Sequence, residues 1–297
     1  MRECENILYL CSVFFIIECN GAINVKNEKS VNILHKIKIK LLCLVNKYYR
    51  LYFKNLPKYL EAENVPDDFT PTKKIYPGLK IAVYTAITGG YDLLNEPSFI
   101  DKDFKYFAFT DFDFKNSVWT KIKIPDSLNN LNNAMKNRYI KTHPDEFFKD
   151  FDYSIYIDGK CEIIGDIRKI IYSMIEANKK IGIFQHPSRN CIYEEMAACY
   201  VDKKAPRKIL IEQIKKYKSE KFPAKFGLFE NAIIIRKSND QDINKIMSSW
   251  WKEIILYGRD QISLPYVLWK LGFDKNFIFS PGRNVWRSKY FKFHEHV

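Results

Sequence analysis

The chain has 297 residues, 46% apolar and 15% aromatic, so it can bury a full core and is neither disordered nor of low complexity. Its 48 Lys and Arg outnumber 35 Asp and Glu, and the net charge of +13 favours an acidic partner such as a phosphate-bearing substrate or an anionic lipid surface. The seven cysteines are odd in number and form no C-x-x-C pair, which argues against a disulfide framework or zinc knuckle and for a reducing compartment.

The chain opens on an apolar run, Ile7 to Ile17, behind Arg2. A bilayer span takes ~20 residues. With Glu3 and Glu5 where a leader should be positive, residues 1–30 are either a hydrophobic leader, signal or anchor, or a weakly ordered start. Residues 31–63 form a basic segment in which Lys36, Lys38, Lys40, Lys47, Arg50, Lys54 and Lys58 interleave with Leu34, Ile37, Leu41, Leu42, Val45, Tyr48, Tyr49 and Leu51 at helical spacing. No acid occurs from Val31 to Leu60. Such an amphipathic helix either lies on an anionic membrane or packs on the rest of the protein with its lysines in water. The basic excess is concentrated here, so the remainder is only mildly basic and no nucleic-acid partner is expected. Pro66, Pro71 and Pro77 mark residues 64–78 as a linker.

From Leu79 the pattern alternates. Strands are expected at Lys80 to Ala86, Tyr106 to Phe109, Val118 to Ile124, Tyr153 to Ile157, Ile181 to Gln185 and Ala232 to Arg236. Cys161 to Ile164 reads as a continuation of the fourth strand after a turn. Helices are expected at Leu128 to Phe148 with an interruption near Pro144, then Ile167 to Ala177, Arg207 to Lys218, Ile243 to Leu256 and Gln261 to Leu271. This order predicts an α/β fold: a single Rossmann-like domain over residues 79–297, its mainly parallel mixed sheet flanked by helices. Ligands in such sheets sit beyond the carboxyl ends of the strands, so the residues that follow strands are the candidates for chemistry.

Thr85, near the end of the first strand, and Thr88, Gly89, Gly90 and Tyr91, after it, either receive a nucleotide, which the two glycines allow to approach closely, or the loop makes a plain turn. Asp111, after the second, holds a base or ribose, or caps a turn. Asp158 ends a buried apolar run. A carboxylate there suits Mg²⁺ or Mn²⁺, Gly159 permits close approach, and Lys160 can neutralise phosphate charge. The same Asp-Gly pair also fits an ordinary β-turn. His186 and Arg189 follow the next strand. Histidine suits a metal or an acceptor hydroxyl, and arginine grips phosphate through two bonds. Glu194 and Glu195 open a helical stretch, where acids also suit the dipole. Asp260, between Arg259 and Gln261, is either an N-cap, worth ~1 kcal/mol, or a carboxylate that orients an acceptor or stabilises an oxocarbenium-like sugar. The adjacent Trp250 and Trp251 either stack on sugar or pack in the core. His294 and His296 share one side of an extended tail and are either metal ligands or part of a frayed end.

Five pieces occur in one order: Tyr84-Thr85-Ala86-Ile87-Thr88-Gly89-Gly90-Tyr91-Asp92, Phe109-Thr110-Asp111, Tyr156-Ile157-Asp158-Gly159-Lys160, His186-Pro187-Ser188-Arg189 with Tyr193-Glu194-Glu195, and Arg259-Asp260-Gln261-Ile262-Ser263. Together they resemble the plant mucilage-related glycosyltransferase-like domain family, which also occurs in bacteria. The resemblance runs from Leu79 to Leu271. It implies a nucleotide-sugar transferase of the GT-A type, with Asp158 as counterpart of the metal-binding Asp-x-Asp element and Asp260 near the reacting sugar. Arg259, Gln261 and Glu194 fall on the acceptor side. One departure stands out: Asp158-Gly159-Lys160 has a single acid. Either Mn²⁺ or Mg²⁺ takes fewer protein carboxylates here, with His294 or His296, or Lys160 replaces the metal. The expected activity is transfer from a nucleotide-diphosphate sugar to a glycan or lipid-linked acceptor in surface polysaccharide synthesis. The expected location is cytoplasmic, at the inner face of a membrane. The rival readings are a membrane-associated hydrolase and a non-catalytic binding module.

Overall fold

The computed structural model describes residues 69–115 and 117–295. The leader expected over residues 1–30, the basic helix over residues 31–63 and His296 lie outside the described residues. The strands are β1 (Ile81–Ile87), β2 (Phe104–Thr110), β3 (Thr120–Ile122), β4 (Tyr153–Ile157), β5 (Cys161–Ile163), β6 (Ile181–Gln185), β7 (Phe229–Lys237) and β8 (Phe291–Phe293). Six of them form one sheet in the order β3-β2-β1-β4-β7-β6. Ile81 of β1 sits in parallel register with Phe104 on one side and Tyr153 on the other. Only β7 runs against the rest, between β4 and β6. This is the expected α/β domain with a mainly parallel mixed sheet.

Strand alternation divides the core into two layers. From β1, Ala82, Tyr84 and Ala86 face one side, while Ile81 and Val83 face the other. The first side is covered by α1 (Asn133–Thr142), α4 (Ile192–Val201), α5 (Arg207–Ser219), α6 (Gln241–Tyr257) and α7 (Asp260–Lys270), with the short α2 (Pro144–Phe147) beside α1. The second is covered by α3 (Arg168–Glu176) and by Val285, Tyr290 and Phe291. The central strands β1 and β4 are buried at every position, which is why they read as unbroken apolar runs. Among the described residues no helix is long and apolar enough to cross a membrane.

Five local expectations are corrected. Cys161–Ile163 does not extend β4 but pairs antiparallel with Phe291–Phe293 in a separate two-stranded ribbon. The chain leaves the sheet because Cys161 N donates to Asp158 O at 2.9 Å and closes a tight turn. The tail as far as Phe293 is therefore a paired strand, not a frayed end. The helix expected from Leu128 begins at Asn133, where the Asn132 side chain caps it by accepting from Met135 N at 3.0 Å, and it breaks at His143 ahead of Pro144. The strand expected from Ala232 begins at Phe229, through two polar residues. Residues 69–78, read as linker, are stitched to the domain: Thr72 N donates to Ser173 Oγ at 3.0 Å and Tyr172 Oη donates to Tyr76 O at 3.0 Å.

Candidate active site

Because β7 runs opposite to its neighbours, its first residues lie at the same edge of the sheet as the last residues of β1, β2, β4 and β6. A cavity of about 470 Å³ opens there. Thr88, Gly89 and Tyr91 line it after β1, Asp158, Gly159 and Lys160 after β4, and Glu230 and Asn231 at the start of β7. Helices close the remaining walls. Asn137, Arg138 and Lys141 come from α1, and Arg259, Asp260 and Gln261 from the entry to α7.

The two carboxylates singled out in the sequence are brought together by a lysine that was not. Lys141 Nζ donates to Asp260 Oδ2 at 2.8 Å and lies 3.7 Å from Asp158 Oδ1. Its side chain is only 4% exposed, and the ammonium sits 4.9 Å from the centre of the Tyr156 ring. Tyr156 Oη donates to Asp158 Oδ1 at 2.9 Å. Burial and the Asp158 charge hold that phenol well above its usual range, so it stays a neutral donor. Burial by itself would raise the Asp260 carboxyl, but Lys141, Arg138 and Arg259 together outweigh it and hold Asp260 well below the usual carboxylate range. Asp260 is not the N-cap: Arg259 takes that position, Asp260 is the first helical residue, and its side chain is committed to Lys141. Trp250, fully buried, donates from Nε1 to Asp260 O at 2.9 Å, so this tryptophan serves the core and the helix entry.

Beside this pair lies Glu230, whose Oε2 accepts from Gln261 Nε2 at 3.1 Å. Burial, then the charges of Asp158 and Glu195, push its carboxyl up to about 7. Asn231, 3% exposed, presents both Oδ1 and Nδ2 without a partner on the same wall. Neither Lys141, Glu230 nor Asn231 was singled out from the sequence.

The loop after β1 is built for close approach. Gly89 has φ of 70°, and a Cβ there would fall 1.9 Å from Asn133 Nδ2. Asp111 Oδ2 accepts from Gly89 N at 2.6 Å, and Thr88 Oγ1 donates to Asn133 O at 2.8 Å, so Asp111 braces this loop. A Cβ on Gly159 would meet Ile87 Cγ1 at 2.8 Å, which ties the Asp158 turn against β1. Gly90 also has positive φ, at 64°, but is not among the lining residues. Thr85 is buried within β1 and does not line the cavity. Lys160 Nζ lies 4.8 Å from the centre of the Trp286 ring.

Other expected site residues form a layer outside the cavity lining. Arg189 Nε donates to Glu195 Oε2 at 2.7 Å, while Arg259 Nη2 stands 3.9 Å from Glu195 Oε1. Glu195 thus links Arg189 to a cavity arginine. His186 Nδ1 accepts from Arg189 N at 3.0 Å, and burial, then the nearby Arg189 and Lys204 charges, pull its ring down to about 3. Arg189, His186 and the half-buried Glu194 on α4 do not line the cavity. His294 is on the β5–β8 ribbon, where its Nε2 is 2.7 Å from Glu162 Oε2. Among the described residues no three of His, Cys, Asp and Glu come together to hold a metal ion.

Comparison with solved structures finds glycosyltransferases at low similarity. The apo WbbM bifunctional glycosyltransferase matches with a TM-score of 0.42 and 9% identity over 69% of this chain, which spans only 40% of that one. The S. cerevisiae mannosyltransferase Ktr4p matches with a TM-score of 0.38 and 11% identity, over 79% of this chain and 77% of that one. Mouse xyloside xylosyltransferase 1, apo form, matches with a TM-score of 0.37 and 10% identity, over 68% and 84%. No curated protein matches the chain. The family pattern is decisive where these likenesses are not. It extends over residues 71–296, from the segment stitched to α3 through the β5–β8 ribbon, and the chain belongs to the TOD1/MUCI70 glycosyltransferase-like domain family.

Proposed function

We propose that this protein transfers a sugar from a nucleoside-diphosphate sugar to a hydroxyl of a glycan or lipid-linked acceptor. The observation that carries the reading is the meeting of Asp158, Asp260 and four cations, Lys141, Arg138, Lys160 and Arg259, on one cavity at the carboxyl edge of the sheet. Cations there offset the charge that grows on the departing diphosphate. Glu230, with its carboxyl near neutrality, is suited to accept the acceptor's proton. In that step the acceptor oxygen bonds to the anomeric carbon, the bond from that carbon to the phosphate oxygen breaks, and the electron pair leaves with the nucleoside diphosphate. Asp158 and Asp260, held side by side, orient the sugar. The basic segment over residues 31–63 would keep the enzyme at an anionic inner membrane face, where lipid-linked acceptors reside.

The test is product analysis with the full chain, a panel of UDP-, GDP- and CMP-sugars, and extracted membrane glycans as acceptor. Label should move to the acceptor, and Asp158→Ala should abolish the transfer while leaving the fold intact by circular dichroism. Full activity in Asp158→Ala would remove the basis of the reading. Release of free sugar irrespective of acceptor would favour a hydrolase in which Glu230 activates water.

A further inference from the structure

The family resemblance implies a divalent metal at Asp158. Asp92, Asp158, Glu230 and Asp260 all line the cavity, but among the described residues no three of His, Cys, Asp and Glu come together to hold a metal ion, and Asp158 and Asp260 share a lysine instead. Mn²⁺ and Mg²⁺ want several hard oxygen ligands converging on one point. Here Asp158 Oδ1 already accepts from Tyr156 Oη and faces Lys141 Nζ, and Asp260 Oδ2 accepts from the same ammonium. The second acid of an Asp-x-Asp pair is Lys160. Of the two histidines expected as ligands, His294 is paired with Glu162, and His296 lies outside the described residues. The space between the two carboxylates is thus filled by a cation of the chain itself.

We propose that Lys141 is the resident cation of this site, standing where a divalent ion would bridge the acids, and that the protein works without a bound metal. Lys141 is a positioning residue: it holds Asp158 and Asp260 adjacent and favours the ionised form of Asp260. Its main chain is fixed as firmly as its side chain. Lys141 O accepts from Arg236 Nη1 at 2.5 Å and from Tyr84 Oη at 3.2 Å, and Arg236 is wholly buried in the core. The ammonium is further held over the face of Tyr156. A dication entering this space would have to displace Lys141 or bear its repulsion at contact distance. The statement about metal-free turnover rests on the proposed transferase reading; the statement about the carboxylate pair does not.

The deciding experiment is a Mn²⁺ titration of the full chain followed by electron paramagnetic resonance, which reports loss of the free aqua ion. The wild type should leave the signal unchanged. Lys141→Ala should take up one equivalent, and Lys141→Ala with Asp260→Asn should take up none. The proposal is overturned by stoichiometric uptake in the wild type that disappears in Asp158→Asn, or by a folded Lys141→Ala that binds no Mn²⁺. Should Lys141→Ala not fold, the wild type against Asp158→Asn still decides. In the transfer assay, the wild type should keep its rate in EDTA. A rate lost in EDTA and restored by Mn²⁺ would refute metal-free turnover. A chain with no transfer in any buffer would instead sink the transferase reading and leave the Mn²⁺ titration to judge Lys141.

Discussion

Replacing Glu230 by Gln should remove a pH-dependent part of the protein's stability. Four charged groups act on this carboxyl: Asp158 from the turn after β4, Glu195 from α4 and Asp260 from α7 repel its ionised form, and Lys141 from α1 favours it. Burial is the largest influence, and the result is a rise from 4.5 to about 7. Between those values the native state keeps a proton that the unfolded chain has released. Stability is therefore full below the lower value and drains away as pH rises through the upper one. At ~1.4 kcal/mol per pH interval of one, the loss is about 3 kcal/mol, roughly 6–12 °C in melting temperature for a domain of this size. Glu230→Gln keeps an acceptor for Gln261 Nε2 and never ionises. Urea melts followed by circular dichroism should show the variant matching the wild type near pH ~5 and exceeding it by up to about 3 kcal/mol near pH ~8. Parallel curves for the two proteins across that window would refute the reasoning. The same carboxyl as base predicts the opposite trend in catalysis, with wild-type transfer rising through pH ~7 while stability falls, and a loss of about 10²–10⁴-fold in the variant.

Asn231→Leu replaces a buried amide whose two polar atoms have no partner with an apolar side chain of similar volume. It should raise stability by about 1–2 kcal/mol in chemical melts while lowering transfer; a fall in stability would mean the amide is satisfied in solution. Glu195→Ala strips the buried partner from Arg189 and should cost about 3–5 kcal/mol by the same melts, with an unchanged midpoint counting against a buried ion pair.

The strands were legible because burial on both faces leaves little room for polar residues; Tyr153–Ile157 was readable to its ends for that reason. Asp158 and Asp260 were legible because each sits at the boundary of an apolar run. Lys141 was not. In a chain with 48 Lys and Arg, nothing in its neighbourhood separates one buried lysine from the solvated rest, and its partner Asp260 is 119 positions away. Arg189 was read as a phosphate ligand because an arginine after a strand suits that role, but Glu195, six positions on, takes its guanidinium. Glu230 and Asn231 were missed because two polar residues made the strand look shorter than it is. That mismatch was itself a signal: polar side chains opening an otherwise apolar strand have a use at that edge of the sheet.

The reversed strand also sets a timetable for synthesis. β6 is made before β7 yet meets the sheet only through it, since β7 lies between β4 and β6. Until the ribosome has delivered Phe229–Lys237, the strand Ile181–Gln185 has no place to dock on the main sheet, and the edge of β4 stays open. The non-local pairing that completes the sheet is thus the step most exposed to delay and aggregation. Because Glu230 and Asn231 are the second and third residues of β7, closing the sheet and finishing the cavity wall are one event. A nascent or truncated chain that stops short of that event carries Asp158 and Lys141 but lacks the wall beside them.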